Sequence, residues 1–245
     1  MSTSLTILHV RDAAPEEVER ALAGIFAGEE RAQALRLEGT YSAVLRRVTD
    51  PDLAAGYCYL ILRPHAGSPW TPVLELGNRT VGLDAELSKA LGGTAVFTTF
   101  VYGAAVSGYR LVREGDEVDR YLSDPTYFLE LEESHEGVGP GERSEPLLAA
   151  VVEPERGHPE RFADLLPAGT APEDFWQVVL APGWWEEFSP AGAAGEEEAL
   201  VDEMDRMRCI GLALELWGPD DYPLAQEPEE IADKVAGPAI AVAFA

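Results

Sequence analysis

Carboxylates dominate the groups in this chain that could do chemistry: Asp and Glu number 44 in 245 residues, too many for spacing alone to single out an acid–base pair. Asp84, Asp116, Asp119 and Asp124 stand out because they border the strands that the surrounding pattern predicts, and they are expected first as turn and cap residues that bond nearby backbone. The histidines, His9, His65, His135 and His158, include no pair at the i, i+4 spacing that would set two metal ligands on one helical face. His135-Glu136 begins like a zinc-protease motif, yet Gly137-Val138-Gly139-Pro140 follows without a second histidine, so His135 and His158 are read as solvated loop residues. No Asp-x-Asp-x-Asp-Gly loop offers oxygen ligands to calcium. Cys58 falls in an apolar strand pattern and Cys209 in an apolar helix pattern, settings for buried thiols rather than for thiolate nucleophiles or a disulfide framework. A glycine-rich lysine loop, a dinucleotide fingerprint and a Gly-x-Ser-x-Gly elbow are all missing from the sequence. No catalytic residue, metal or cofactor is therefore predicted.

One short stretch points to contact rather than reaction. In Pro182-Gly183-Trp184-Trp185-Glu186-Glu187, adjacent indoles on a Pro-Gly turn cannot easily both be buried on one face, and tryptophan is enriched where proteins touch partners. Trp184, Trp185, Glu186 and Glu187, together with Asp84, Asp116 and Asp119, form the candidate contact set for a ligand or partner. The competing expectation for the two indoles is an aromatic plug between two parts of the chain.

Charge divides those parts. Residues 129–245 carry 27 Asp and Glu against 6 Lys and Arg, whereas residues 1–128 carry 17 against 12, so most of the net −26 lies in the second half. Phosphate binding needs clustered Lys and Arg, and direct nucleic-acid binding is accordingly disfavoured. A dense acidic face would instead suit a basic protein partner, since opposite fields speed association. The opening residues lack the basic and apolar regions of a secretory signal, and the longest apolar runs are far below the roughly 20 residues of a membrane span. A soluble, cytoplasmic chain without membrane contact is expected. Sixteen Arg against two Lys, with Asn78 the single asparagine, fits a GC-rich bacterial genome.

The elements that would position these residues read as α+β. Leu5–Val10 is a predicted strand, residues 16–37 a helical pattern carrying Val18, Leu22, Phe26 and Leu35 at near-helical spacing, with Gly24 and Gly28 as points where the helix can split, and Tyr41–Val48 and Gly56–Arg63 two strands. The pattern recurs with a strand at Pro72–Leu76, a helix at Asp84–Leu91 stopped by Gly92-Gly93, and strands at Thr94–Tyr102, Ala105–Arg113 and Asp116–Tyr121. Glu114-Gly115 is a hairpin turn. At an offset of 52 the two units share Ala43/Ala95, Val44/Val96, Gly56/Gly108 and Tyr57/Tyr109, which admits a duplicated strand-helix-strand-strand unit. Short connections predict antiparallel sheets covered by helices on one face.

The sequence thus predicts a near-balanced α+β domain over 1–128 and a strongly acidic α+β or helical part over 129–245, packed on the first or standing apart. Glu130–Glu145, rich in glutamate and glycine, is the junction. Beyond it come a strand at Glu145–Val152, short helices at Arg161–Leu166 and Pro172–Leu180, a long helix at Glu196–Trp217 and a strand at Ala239–Phe244.

Residues 87–128 carry a resemblance. Leu87-Ser88-Lys89-Ala90-Leu91-Gly92, a strand pair, and then Gly115-Asp116-Glu117-Val118-Asp119-Arg120-Tyr121-Leu122-Ser123-Asp124-Pro125-Thr126-Tyr127-Phe128 resemble uncharacterised bacterial α+β proteins with a helix, a hairpin and a Ser-x-Pro-x-x-Phe end. The resemblance brings no established activity. In size, acidity and architecture the chain is also similar to immunity proteins, which bind and inhibit toxins, an analogy at the level of fold. The expected function is that of a soluble, non-enzymatic binding protein with an acidic face for a basic partner. The alternatives are an enzyme or small-ligand binder with a cleft between the parts lined by Trp184 and Trp185, and a homo-oligomer sealed along its sheet edges.

Overall fold

The computed structural model describes residues 5–29, 31–48, 56–64, 67–76, 82–102, 106–123, 155–175 and 238–244. Its centre is set by strands whose side chains are buried on both sides. In β1 (Leu5–Arg11), Ile7 faces one core cluster while Leu8 and Val10 face another, and β3 (Tyr57–Ile61) splits in the same way. With β2 (Gln33–Thr40), β4 (Trp70–Glu75), β5 (Val96–Tyr102), β6 (Val106–Arg113), β7 (Asp116–Leu122) and β8 (Pro238–Phe244), they form one antiparallel sheet in the order β2-β8-β3-β4-β1-β5-β6-β7.

Helices cover both faces of this sheet, not one. Helix α1 (Pro15–Gly28) starts on Pro15, and the Glu17 carboxylate accepts the Ala14 N–H at 2.8 Å. Its buried line Val18, Leu22, Phe26 lies on Tyr59, Val242 and Phe244, with Phe26 stacked on Phe244 at 4.4 Å between centroids. Helix α3 (Leu83–Ala90) joins that face through Leu83 and Leu87. The opposite face carries Tyr41 and Val44 of helix α2 (Tyr41–Val48), Phe162 and Leu165 of a 3₁₀ helix (Pro159–Leu165), and Phe175 of the helical turn Pro172–Phe175. The central strands lie between two helical layers, and one-sided cover would have left the Ile7, Leu60 and Phe97 side in water.

Two further expectations need correction. The helical pattern predicted to run to residue 37 stops at Gly28, one of its two expected split points, and Gln33–Thr40 is strand β2, because Leu35 and Leu37 follow a period of two and find their hydrogen-bonding partner in distant β8. Tyr41–Val48 is a helix rather than a strand. Tyr41 and Val44, three apart, turn to the same core, and the Thr40 hydroxyl accepts the Ala43 N–H at 3.4 Å. At the offset of 52, Ala43 and Val44 lie in this helix while Val96 begins β5, so that alignment sets a helix against a strand.

The β6–β7 hairpin forms as expected, with Glu114 and Gly115 both at positive φ, as a two-residue turn of this hand requires. Helix α3 is tied to it by the Ser88 hydroxyl, which donates to Thr94 O at 2.7 Å and accepts the Gly115 N–H at 3.2 Å. Gly108 in β6 is needed for close approach, since a Cβ there would stand 2.3 Å from Tyr121 O. Strand β8 and residues 155–175 both pack into the core built by residues of 1–128. Residues 124–154 and 176–237, with the predicted strand at Glu145–Val152 and helix at Glu196–Trp217, lie outside the described residues.

Candidate functional site

Adjacent side chains on a strand point to opposite faces, and β6 uses this to hold two buried carboxylates apart. Arg110 points to the α1/α3 face, where its guanidinium Nε donates to Asp84 Oδ2 at 2.5 Å; Thr98 Oγ1 donates to the same oxygen at 3.3 Å. Asp84 is 1% exposed and its Oδ1 accepts the Ala85 N–H. The pair reaches from a partly exposed guanidinium into the core beneath α3.

Tyr109 points to the other face. Its hydroxyl donates to Asp119 Oδ2 at 2.8 Å, and the His158 backbone N–H donates to that oxygen at 2.8 Å. His158 Nδ1 lies 3.3 Å from Asp119 Oδ1, and an Arg161 guanidinium nitrogen lies 3.6 Å from it. Asp119 is buried, whereas His158 is partly and Arg161 substantially exposed. Burial, with the Asp119 carboxylate alongside, pushes the Tyr109 phenol well above its ordinary value, so it remains a hydrogen-bond donor. Above this cluster Phe162 meets Tyr109 and Phe97 edge to face, and Phe97, Tyr109 and Tyr121 stack in succession.

The row continues inward. Thr99 stands opposite Tyr109 in the β5–β6 register, and His9 Nε2 on β1 is 3.3 Å from Thr99 Oγ1. Complete burial holds the His9 imidazole down to about 3, hence neutral near pH 7. Polar groups from β1, β5, β6 and β7 thus cross one sheet face under an aromatic cover.

Asp119 fixes the Nδ1 side of the His158 ring. With the proton on Nδ1, Nε2 can accept a proton from a neighbouring group. Among the described residues, no Ser, Thr or Cys side chain hydrogen-bonds to His158, and no group of three or more His, Cys, Asp and Glu could hold a metal ion. Cys58 is buried, and desolvation pushes its thiol up to about 11, away from thiolate chemistry.

The aspartates singled out by sequence part company. Asp84 and Asp119 are buried and lie on opposite sides of the sheet, and Asp84, in the first turn of α3, also accepts the neighbouring Ala85 N–H, the local backbone bond expected of a residue at a helix start. Asp116 is exposed at the hairpin, paired through its backbone with Arg113. Trp184, Trp185, Glu186, Glu187 and Asp124 lie outside the described residues. His158, read as a solvated loop residue, instead anchors the start of the 3₁₀ helix on Asp119. Tyr109, Arg110 and Arg161 were missed. The available signal was Tyr109-Arg110 on a strand where Leu111 and Val112 bury side chains on opposite faces, so that a polar group on either face needs a buried partner. A scan against protein-family models finds no match, and comparisons with curated proteins and with solved structures likewise return none.

Proposed function

We propose that this chain is a non-catalytic binding protein that engages a basic protein partner through its carboxylate-rich surface. One observation carries the reading: the buried carboxylates Asp84 and Asp119 are committed to internal donors, while Glu16, Glu86, Glu114, Asp116, Glu160 and Glu173 are exposed and make no ion pair among the described residues. Unpaired surface carboxylates on a chain of net charge −26 produce a field that attracts cationic surfaces.

The test is affinity capture from extract of the native host, identification of retained proteins, and reassembly from purified components at low and raised ionic strength. A basic protein whose affinity falls steeply as salt rises is the expected result. Retention of nothing, or of a partner indifferent to salt, overturns the reading. The Asp119–His158 pair favours a second one, a small-ligand site at the Nε2 edge of His158. Mass spectrometry of the purified chain under native conditions addresses it, with a bound metabolite lost in His158→Gln as the expected sign.

A further inference from the structure

The two rims of the sheet are built differently. At one rim, Tyr121 of β7 bridges antiparallel to Arg156, so backbone already lies along part of that edge. At the other, β2 pairs with β8 on its inner side, and among the described residues no strand pairs with its outer side. After a register shift between Gln33 and Leu35, strand β2 keeps a regular register with β8 from Leu35 to Thr40, with Leu35 and Leu37 half-buried on one face and Arg36 and Glu38 exposed on the other. A row of outward backbone donors and acceptors of this kind is a template for another strand.

The charges on that rim are self-complementary. Take two copies of β2 running antiparallel about a two-fold axis perpendicular to the sheet, with Leu37 opposite Leu37. Arg36 of each copy then stands directly opposite Glu38 of the other on one face, and Leu35 stands opposite Gly39 on the other face. Centring the pair on Arg36 would oppose two arginines, and centring it on Glu38 would oppose two glutamates. Of these three registers, the Leu37-centred one alone avoids like charges in direct opposition. Arg36 is also pre-positioned, because Glu19 on α1 accepts from its Nε at 2.6 Å and from Nη2 at 3.1 Å, while Nη1 reaches Glu38 at 3.1 Å.

We propose that β2 pairs with β2 of a second copy of this chain, antiparallel and centred on Leu37, joining the two sheets into one. The partner is set by the symmetry of the Arg36-Leu37-Glu38 triplet and does not depend on the basic partner proposed above.

Sedimentation velocity of the full chain at physiological salt should give twice the 26.5 kDa mass, in a concentration-dependent equilibrium. Arg36→Glu places glutamate opposite Glu38 and should shift the equilibrium to monomer, and Arg36→Glu/Glu38→Arg should restore the dimer. Glu19 faces residue 36 in both variants, but the intrachain 36–38 pair is like-charged in the single variant and opposite-charged in the double, so urea unfolding of each monomer, measured alongside, separates that local difference from the cross-strand pairing. Leu37→Cys, lying on the axis, should form an interchain disulfide under mild oxidation much faster than Ala34→Cys, with the wild-type chain as control for its native cysteines. A chain that stays monomeric at its highest soluble concentration overturns the proposal. So does a dimer that treats the single and double charge variants alike, or that links through Ala34→Cys as fast as through Leu37→Cys.

Discussion

His9 ties the sheet to pH in a way that can be measured. Burial alone holds its imidazole at about 3, against 6.5 in an open chain. Between those values the unfolded chain binds a proton that the folded chain excludes, so this residue's contribution to stability falls as pH drops below 6.5 and continues falling towards 3. At pH 5, about 1.5 units below the unfolded value and about 1.36 kcal/mol per unit, the loss is about 2 kcal/mol. That pH is still above the isoelectric point near 4.3, so the chain keeps its negative charge. Carboxylates titrate over the same interval, and the comparison must cancel them. His9→Gln does so: its amide can still reach Thr99 Oγ1 and has no proton to gain. Urea unfolding of both chains at pH 8 and pH 5 should show the wild type losing about 2 kcal/mol more than the variant, whatever their difference at pH 8. A gap constant to within about 0.5 kcal/mol would mean that the imidazole is not held neutral in the fold, and the reasoning would fail.

Three further outcomes are expected. Gly108→Ala should cost about 3 kcal/mol or more by thermal or urea unfolding, because the new Cβ would stand 2.3 Å from Tyr121 O and 2.7 Å from Phe100 Cζ and would force β6 from β7; a loss below about 1 kcal/mol would contradict that packing. Tyr109→Phe, which removes one donor from buried Asp119, should cost about 1–3 kcal/mol, and Asp119→Ala, which strands the Tyr109 hydroxyl and the His158 N–H together, about 3–5 kcal/mol; the reverse order would show that the carboxylate is not the hub. The Arg113 guanidinium holds the Asp164 carboxyl below its ordinary 3.8, so this bridge stabilises above that value and is lost as pH falls through the lower folded value; an NMR titration of the Asp164 carboxyl carbon should have its midpoint below 3.8, and Arg113→Gln should raise it.

Local patterns carried the fold wherever a period of two or of 3.6 ran uninterrupted. The β5–β6–β7 meander, its Glu114-Gly115 turn and α3 lie within a few residues of where sequence placed them. Failure came where the deciding partner is remote in sequence. Leu35 and Leu37 fit the end of a helical stripe as well as they fit a strand, and the choice is made by β8, which supplies the ladder. Tyr41 and Val44 look like strand formers, yet their spacing serves a helix once β2 has taken the edge. For the site, Asp84 and Asp119 were visible as unusual positions, and their burial was not. A lone aspartate is read as a turn residue until Arg110, Tyr109 and His158 are brought to it from 26, 10 and 39 residues away.

The position of β8 has a consequence for how the chain comes to be. Among the described residues strand β2 meets the rest of the sheet only through β8, and the segment from Thr40 to Pro238 must leave the ribosome between them. At about 5–20 residues per second, the interval is roughly 10–40 s. For that time β2 has no strand to bind, and β3 is missing one neighbour, while β1, β4, β5, β6 and β7 can already pair with one another. The nascent protein therefore carries an open slot exactly one strand wide, and whatever guards those two edges during synthesis, chaperone or another chain, acts on a species that the finished fold no longer displays.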